Sequence, residues 1–133
     1  MSIQVSTTHW LSDLFQDRGW ARVPTPYESR RFGITIMVAP QNQHTAVIVG
    51  AVKLRPPQLA RQDLQEQFSD WLHQLVTRLE RRIVDGLSIQ HIFFTGGGPV
   101  TLPRWFRDWC AEHAITIHTV STDTPPPHLD MFM

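Results

Sequence analysis

The chain has 133 residues, which is the ordinary size of one folded domain. Apolar residues make up 41% and charged residues 18%, a balance that excludes a wholly disordered chain. Twelve Lys and Arg residues match 12 Asp and Glu residues, so the formal net charge is zero. Since proteins that hold nucleic acid through its phosphates are usually basic, we expect direct nucleic-acid binding to be weak or absent.

The N-terminal sequence and the cysteine content indicate an intracellular protein. The segment MSIQVSTTHW has neither the basic nor the long apolar region of a signal peptide. No apolar run approaches the about 20 residues of a membrane span. The single cysteine, Cys110, excludes an internal disulfide, and its place on the apolar side of a predicted helix favours a role in the core. We predict a cytoplasmic protein that does not bind membranes.

The first predicted element is a short helix over residues 8–18. Gly19 is suited to end this helix, because glycine adopts the left-handed conformation common after a last helical turn. Residues 20–27 contain two prolines and allow an edge strand at most. The helix has one apolar face, formed by Trp10, Leu11, Leu14 and Phe15.

Two strands and a long helix follow. Residues 31–39 and 45–54 are rich in β-branched and apolar side chains and predict a hairpin. Gly50, inside the second strand, predicts a bulge or a close approach of the backbone to a neighbour. Apolar residues then recur at helical spacing over 59–84, and Gly86 is placed to end that helix.

The remaining elements alternate between strand and helix. Residues 89–95 predict a strand, and a glycine-rich loop leads into a helix over 102–113 with Thr101 as its N-cap. Residues 115–120 predict the last strand. Joined through a helix, the final two strands should be parallel.

The predicted fold class is α/β, with a mixed sheet of about four or five strands. A single α/β domain is expected over 1–120, followed by a disordered, proline-rich tail over 121–133. The element order, a hairpin followed by α-β-α-β, resembles half of an RNase H-like or actin-like domain. With its initial helix, it also resembles a restriction-endonuclease-like core.

The first candidate site is the glycine loop between a predicted strand and helix. Glycines let the backbone approach an anion closely, and the start of a helix offers unpaired N–H groups. A tight strand-to-helix connection explains the same glycines without any ligand, so both interpretations stay open. The phosphate-binding candidates are Thr95, Gly96, Gly97, Gly98 and Thr101.

The string TGGGP resembles loops of two families. In actin-like ATPases a strand ending in two or three glycines precedes a helix near the nucleotide. Cytokinin-activating phosphoribohydrolases carry TGGGPG before a helix, but position 100 here is Val. The hairpin also contains no acidic residue between Phe32 and Leu54, whereas an actin-like phosphate loop has an Asp. Descent from either family would therefore imply loss of catalysis.

Catalytic and metal-binding patterns are incomplete. Ala51, Val52 and Lys53 stand where a restriction-endonuclease-like core has Glu-x-Lys, so the acidic metal ligand is missing. The seven histidines are scattered without the spacing of a zinc site. His91 and His118, on neighbouring predicted strands, are expected to form a hydrogen-bonded pair or to lie at the surface. We predict no catalytic residue, metal or cofactor.

The second candidate site is the apolar C-terminus. The sequence His-Leu-Asp-Met-Phe resembles the short peptide by which bacterial polymerases and repair factors bind the sliding clamp, usually of the form Gln-Leu-Ser/Asp-Leu-Phe. Two of its apolar side chains would enter pockets of the partner. The alternative is that they pack on this domain or on a second copy. The partner-binding candidates are His128, Leu129, Asp130, Met131 and Phe132.

The leading hypothesis is a non-catalytic protein-interaction or accessory domain of DNA replication or repair, with the sliding clamp or another DNA-metabolism protein as partner. It depends on the apolar C-terminus and on the incomplete catalytic patterns. The alternatives are a nucleotide- or phosphate-binding domain and a degenerate or divergent nuclease.

Overall fold

The computed structural model describes residues 10–23, 31–52, 61–96 and 101–121. In that part of the chain the helices are α1 (Trp10–Asp17), α2 (Gln62–Val84) and α3 (Arg104–Glu112). The strands are β1 (Ala21–Val23), β2 (Phe32–Val38), β3 (Thr45–Val52), β4 (Ser88–Gly96) and β5 (Thr116–Ser121).

The strands form one five-stranded mixed sheet in the order β1-β2-β3-β4-β5. The pairs β1–β2 and β2–β3 are antiparallel, whereas β3–β4 and β4–β5 are parallel. The predicted α/β class, the hairpin and the parallel C-terminal unit are therefore confirmed. The three-residue β1 at one edge is the short strand that the two prolines of 20–27 allowed.

The two faces of the sheet are covered by different helices. On the first face, α2 and α3 pack over apolar side chains of β2, β3 and β4. On the second, which we call the α1 face, a smaller cluster joins α1 to β2, β3, β4 and β5. We call the apolar cluster on the first face the first core. The residues that α2 buries in it are Leu64, Phe68, Trp71, Leu72, Leu75 and Leu79.

The three helices of the described ranges end in the same hydrogen-bonded motif. After α1 and α2, Gly19 and Gly86 have φ values of 91° and 105°. After α3, Ala114 takes that position with φ 55°. In each case the next residue donates its N–H to a carbonyl five residues back, at 3.1, 2.9 and 2.8 Å respectively. This is the Schellman arrangement, and it confirms both predicted glycine stops.

A register shift in β4 decides which side chains reach each face. Ala46 pairs with Ile89, but the next residue of β3, Val47, pairs with His91, so Gln90 is an extra residue in β4. Strict alternation would put His91 on the same face as Ile89. The extra residue moves His91 to the α1 face instead.

The prediction of a bulge at Gly50 is wrong, because its pairing with Ile34 and with Phe94 continues without a shift. The alternative prediction for this glycine, a close approach, is confirmed. A Cβ atom built there would lie 3.1 Å from Cδ1 of Phe94 and 3.4 Å from the ring of Trp71. Glycine is present because two aromatic rings occupy the space of a side chain.

Candidate functional site

The glycine loop begins at the edge where three parallel strands end. Gly96 is the last residue of β4 and pairs with Val52 of β3 and Ser121 of β5. It is therefore part of the sheet, and the connection to α3 starts after it. Gly97 and Gly98 lie outside the described residues. The carboxyl ends of parallel strands are where α/β proteins commonly bind ligands.

The two threonines predicted beside the loop have different surroundings. Thr95 is fully buried, and its hydroxyl donates a hydrogen bond to the carbonyl of Gly50 at 3.4 Å. Thr101 is exposed and precedes α3 by three residues. The structure does not bring these two side chains into one described cluster.

The prediction that Thr101 is the N-cap of α3 is wrong. Pro103 occupies that position with φ −60° and ψ 147°, and no side chain caps the helix there. The carbonyl of Pro103 accepts the N–H groups of Phe106 and Arg107 at 3.1 and 3.2 Å. The fixed φ of proline suits the residue at which the chain enters a helix, and this starts α3 later than expected.

The connections on either side of β4 run over the same face of the sheet. Both α2, which joins β3 to β4, and α3, which joins β4 to β5, pack in the first core. In open α/β sheets the ligand crevice forms where successive helices cross to opposite faces. The described part of this sheet has no such crossing beside β4. This geometry favours the interpretation that the glycines make a tight connection between strand and helix without binding a ligand.

A pair of histidines lies on the α1 face. Nδ1 of His91 is 3.0 Å from Nε2 of His118, so that one neutral ring donates a hydrogen bond to the other. His118 also stacks on Phe93, with ring centroids 4.5 Å apart and planes at 15°. Both histidines are half-buried. The prediction of a hydrogen-bonded structural pair is confirmed.

Burial governs the ionisation of these groups. It lowers the pKa of His91, and the nearby His118 charge lowers it further. Burial also lowers the pKa of His118. In α3, burial raises the pKa of the Cys110 thiol to about 12, and this side chain is 1% exposed. A thiol of that pKa stays protonated near neutral pH, which agrees with its predicted role in the core.

The position at which a restriction-endonuclease-like core carries its acidic metal ligand holds no acidic residue in this chain. Ala51 and Val52 of β3 are 3% and 1% exposed, and Val52 belongs to the first core. Lys53 lies outside the described residues. Within the described ranges, no group of three or more His, Cys, Asp or Glu side chains is placed to hold a metal ion.

Two contacts between α2 and α3 were not predicted from the sequence. Nε1 of Trp109 donates to Glu80 at 2.9 Å, and Trp105 stacks on His73 with centroids 3.7 Å apart. The two tryptophans are four positions apart and so lie on one side of α3, but this spacing does not indicate which of them is covered. Trp109 is buried, whereas Trp105 is half-buried. Nothing in the local pattern links either to its partner, because α2 and α3 are far apart in the chain.

The partner-binding candidates of the C-terminus lie outside the described residues. They follow β5, whose last residue is Ser121. Among the helices that the structure describes, none is long and apolar enough to cross a membrane. No protein-family model, curated protein or solved structure matches the chain. The site is therefore interpreted from its own residues.

Proposed function

We propose that the protein is a non-catalytic accessory factor of DNA replication or repair whose C-terminal peptide binds a sliding clamp. The observation that carries this proposal is the sequence His-Leu-Asp-Met-Phe near the chain end, directly preceded by Pro125–Pro127. In this proposal Leu129 and Phe132 enter apolar pockets of the clamp. The folded domain holds the peptide and acts in the cytoplasm.

The position of the last strand supports this proposal. β5 lies at an edge of the sheet and ends at Ser121, eight residues before Leu129. At about 3.3 Å per extended residue, Leu129 can stand about 25 Å from the strand end. Prolines favour such extended chain and lower the entropy lost on binding. The motif therefore has enough chain to reach a pocket on a large partner.

The surface of the described residues supports the same choice. Val84, at 85% exposed, is the large apolar side chain classed as exposed in the described ranges. Because a partner usually needs several apolar contacts, this one side chain does not make the described surface a good binding site for a protein partner. The zero net charge also disfavours a role that depends on broad contact with DNA phosphates.

Binding of the full chain to purified clamp, measured by surface plasmon resonance, tests the proposal. Truncating a central apolar anchor typically costs about 2 kcal/mol or more, so Leu129→Ala and Phe132→Ala should each weaken binding about thirtyfold. Thr124→Ala, in the same segment, is the matched control and should bind normally. His128→Gln should bind more tightly, because Gln is the usual residue of this motif. Equal binding by all four variants, or none by the full chain, refutes the proposal.

The second candidate function is phosphate or nucleotide binding at the glycine loop. It is supported by the position of Gly96 at the carboxyl ends of three parallel strands, and opposed by the two helices on one face. A bound ligand would raise the melting temperature by mass action. A nucleotide screen by differential scanning fluorimetry tests this candidate, and an unchanged melting temperature at millimolar ligand contradicts it. The nuclease candidate is tested by metal-dependent cleavage of DNA.

A further inference from the structure

His91 and His118 meet on the α1 face because of an irregularity in β4. The extra residue Gln90 turns His91 toward this face, beside the neighbouring strand β5. A strand that gains an extra residue often re-aims a side chain next to a functional site. The sheet departs from regular pairing directly before the residue that completes the histidine pair. This placement is a reason to ask what the pair binds.

The separation of the two rings suits a shared metal ion as well as a shared proton. Nδ1 of His91 lies 3.0 Å from Nε2 of His118, and the ring centroids are 5.1 Å apart. Imidazole nitrogens bind zinc at about 2.0–2.1 Å, so two of them on one ion lie about 2.9 Å apart at a right angle and about 3.3 Å apart at the tetrahedral angle. The observed distance falls within that range. A tilt of the two rings is enough to direct both nitrogens at one ion.

The surroundings of the pair keep both rings neutral and hold one of them in place. His118 stacks on Phe93, and Phe93 in turn contacts Phe15 of α1 at a centroid distance of 5.7 Å. Burial among such groups lowers the pKa of both histidines, so near neutral pH they are in the unprotonated form that binds metal ions. Both rings are only half-buried, and Thr116, which pairs with His91, is exposed. Water and ions therefore reach the pair.

We propose that His91 and His118 form a binding site for a divalent transition-metal ion, which is held by Nδ1 of His91 and Nε2 of His118 and has water in its remaining positions. Imidazole is a preferred ligand of Zn²⁺, Cu²⁺ and Ni²⁺. In the hydrogen-bonded pair one of the two facing nitrogens carries a proton. When the ion binds, that ring carries its proton on its other nitrogen, so both facing nitrogens are free to donate their lone pairs and no proton is released. Because no group of three ligand side chains exists in the described ranges, the site is an open one.

The ion joins an edge strand to the centre of the sheet. His91 lies on β4, and His118 lies on β5 at the edge, 27 positions farther along the chain. Such a preformed pair does not exist in the unfolded chain, so an ion that binds it stabilises the folded state by mass action. The site goes beyond the proposed function, because its residues belong to the folded domain and not to the C-terminal peptide.

Calorimetric titration of the full chain, without an affinity tag, with Zn²⁺, Ni²⁺ and Cu²⁺ tests the site. His118→Gln should weaken binding at least about tenfold, because losing a direct ligand costs no less than losing an outer-shell partner of one. His44→Gln removes an exposed histidine elsewhere and is the matched control, which should bind like the original protein. Circular dichroism establishes that each variant is folded. Equal binding by the two variants, or no binding of any of the three ions by the original chain, overturns the proposal.

Nuclear magnetic resonance of the original chain locates the ion and needs no variant. Saturating Zn²⁺ should shift the ring nitrogen resonances of Nδ1 of His91 and Nε2 of His118 at one ion per chain, and the other nitrogen of each ring should carry the proton. Shifts confined to the other histidines mean binding elsewhere on the surface and overturn the proposal. So does one ion per two chains with dimerisation, because a second copy then supplies ligands in place of water.

Discussion

Gly50 offers the sharpest test of how the first core is packed. A methyl group at this position would lie 3.1 and 3.2 Å from two ring carbons of Phe94 and 3.4 Å from Trp71. Attractive contact between carbon atoms is reached at about 3.5–4.0 Å, so both contacts with Phe94 are too short, and the contact with Trp71 leaves no spare room. Gly50→Ala therefore requires at least one ring to move.

Neither ring has room to move, because both are held by further aromatic contacts. Phe94 meets Phe106 edge-on at 5.8 Å, and Trp71 stacks on Phe32 at 5.2 Å. Overpacking a core costs about 1–3 kcal/mol. Replacing glycine in a strand recovers about 0.5–1 kcal/mol of backbone entropy. We expect Gly50→Ala to lower the free energy of unfolding by about 1 kcal/mol, and Gly50→Val by about 3 kcal/mol.

Urea unfolding followed by tryptophan fluorescence and by circular dichroism measures both changes. The matched control is Gly50→Ala in a Phe94→Leu background, where the smaller side chain leaves room for the methyl group. There the substitution should be neutral or stabilising, and the double-mutant cycle should show coupling. If Gly50→Ala is as stable as the original protein, the rings yield freely, and the argument from close packing is wrong.

Four further predictions follow from the helix ends and the titratable groups. Ala114→Gly should raise the free energy of unfolding by about 1 kcal/mol, because alanine is strained at positive φ; an unchanged or lower value contradicts this. Gly86→Ala should lower it by about 1 kcal/mol for the same reason, and thermal denaturation measures both. Because the pKa values of His91 and His118 are lowered in the folded state, their contribution to stability is complete above about pH 6.5 and is lost as the pH falls below it. The melting temperature should fall between about pH 7 and 5.5. When His91 and His118 are both replaced by Asn, it should fall less over this range. An equal fall in the variant and the original protein would contradict the role given to the two histidines. The thiol of Cys110 should react with a maleimide only after denaturant is added, and rapid labelling of the folded chain would show that it is accessible.

The elements of this fold were predictable where local chemistry decides them. The apolar spacing of α2 and the glycines after α1 and α2 identify helices without reference to the rest of the chain. The β-branched runs identify β2 and β3 in the same way. The start of α3 was misplaced because a proline, rather than the nearby threonine, stands at the N-cap.

The candidate sites were predictable only in part, because their geometry joins distant residues. His91 and His118 are 27 positions apart, and Trp109 and Glu80 are 29 apart. The histidine pair was anticipated from two adjacent strands. The face of the sheet on which this pair lies was not anticipated. It depends on the extra residue of β4, Gln90, which lies opposite the bond between Ala46 and Val47.

Composition, periodicity and turn residues by themselves determined that this protein is a mixed α/β domain, where most of its helices and strands lie, and that its C-terminus carries an apolar motif. Tertiary structure alone decided that α2 and α3 share one face, that two rings fill the space beside Gly50, and that His91 meets His118. The physical reason is the distance along the chain over which each kind of interaction acts. Helix and strand preferences arise within a few residues, whereas the faces of a sheet are chosen by strand register, which depends on how all the buried surfaces pack together.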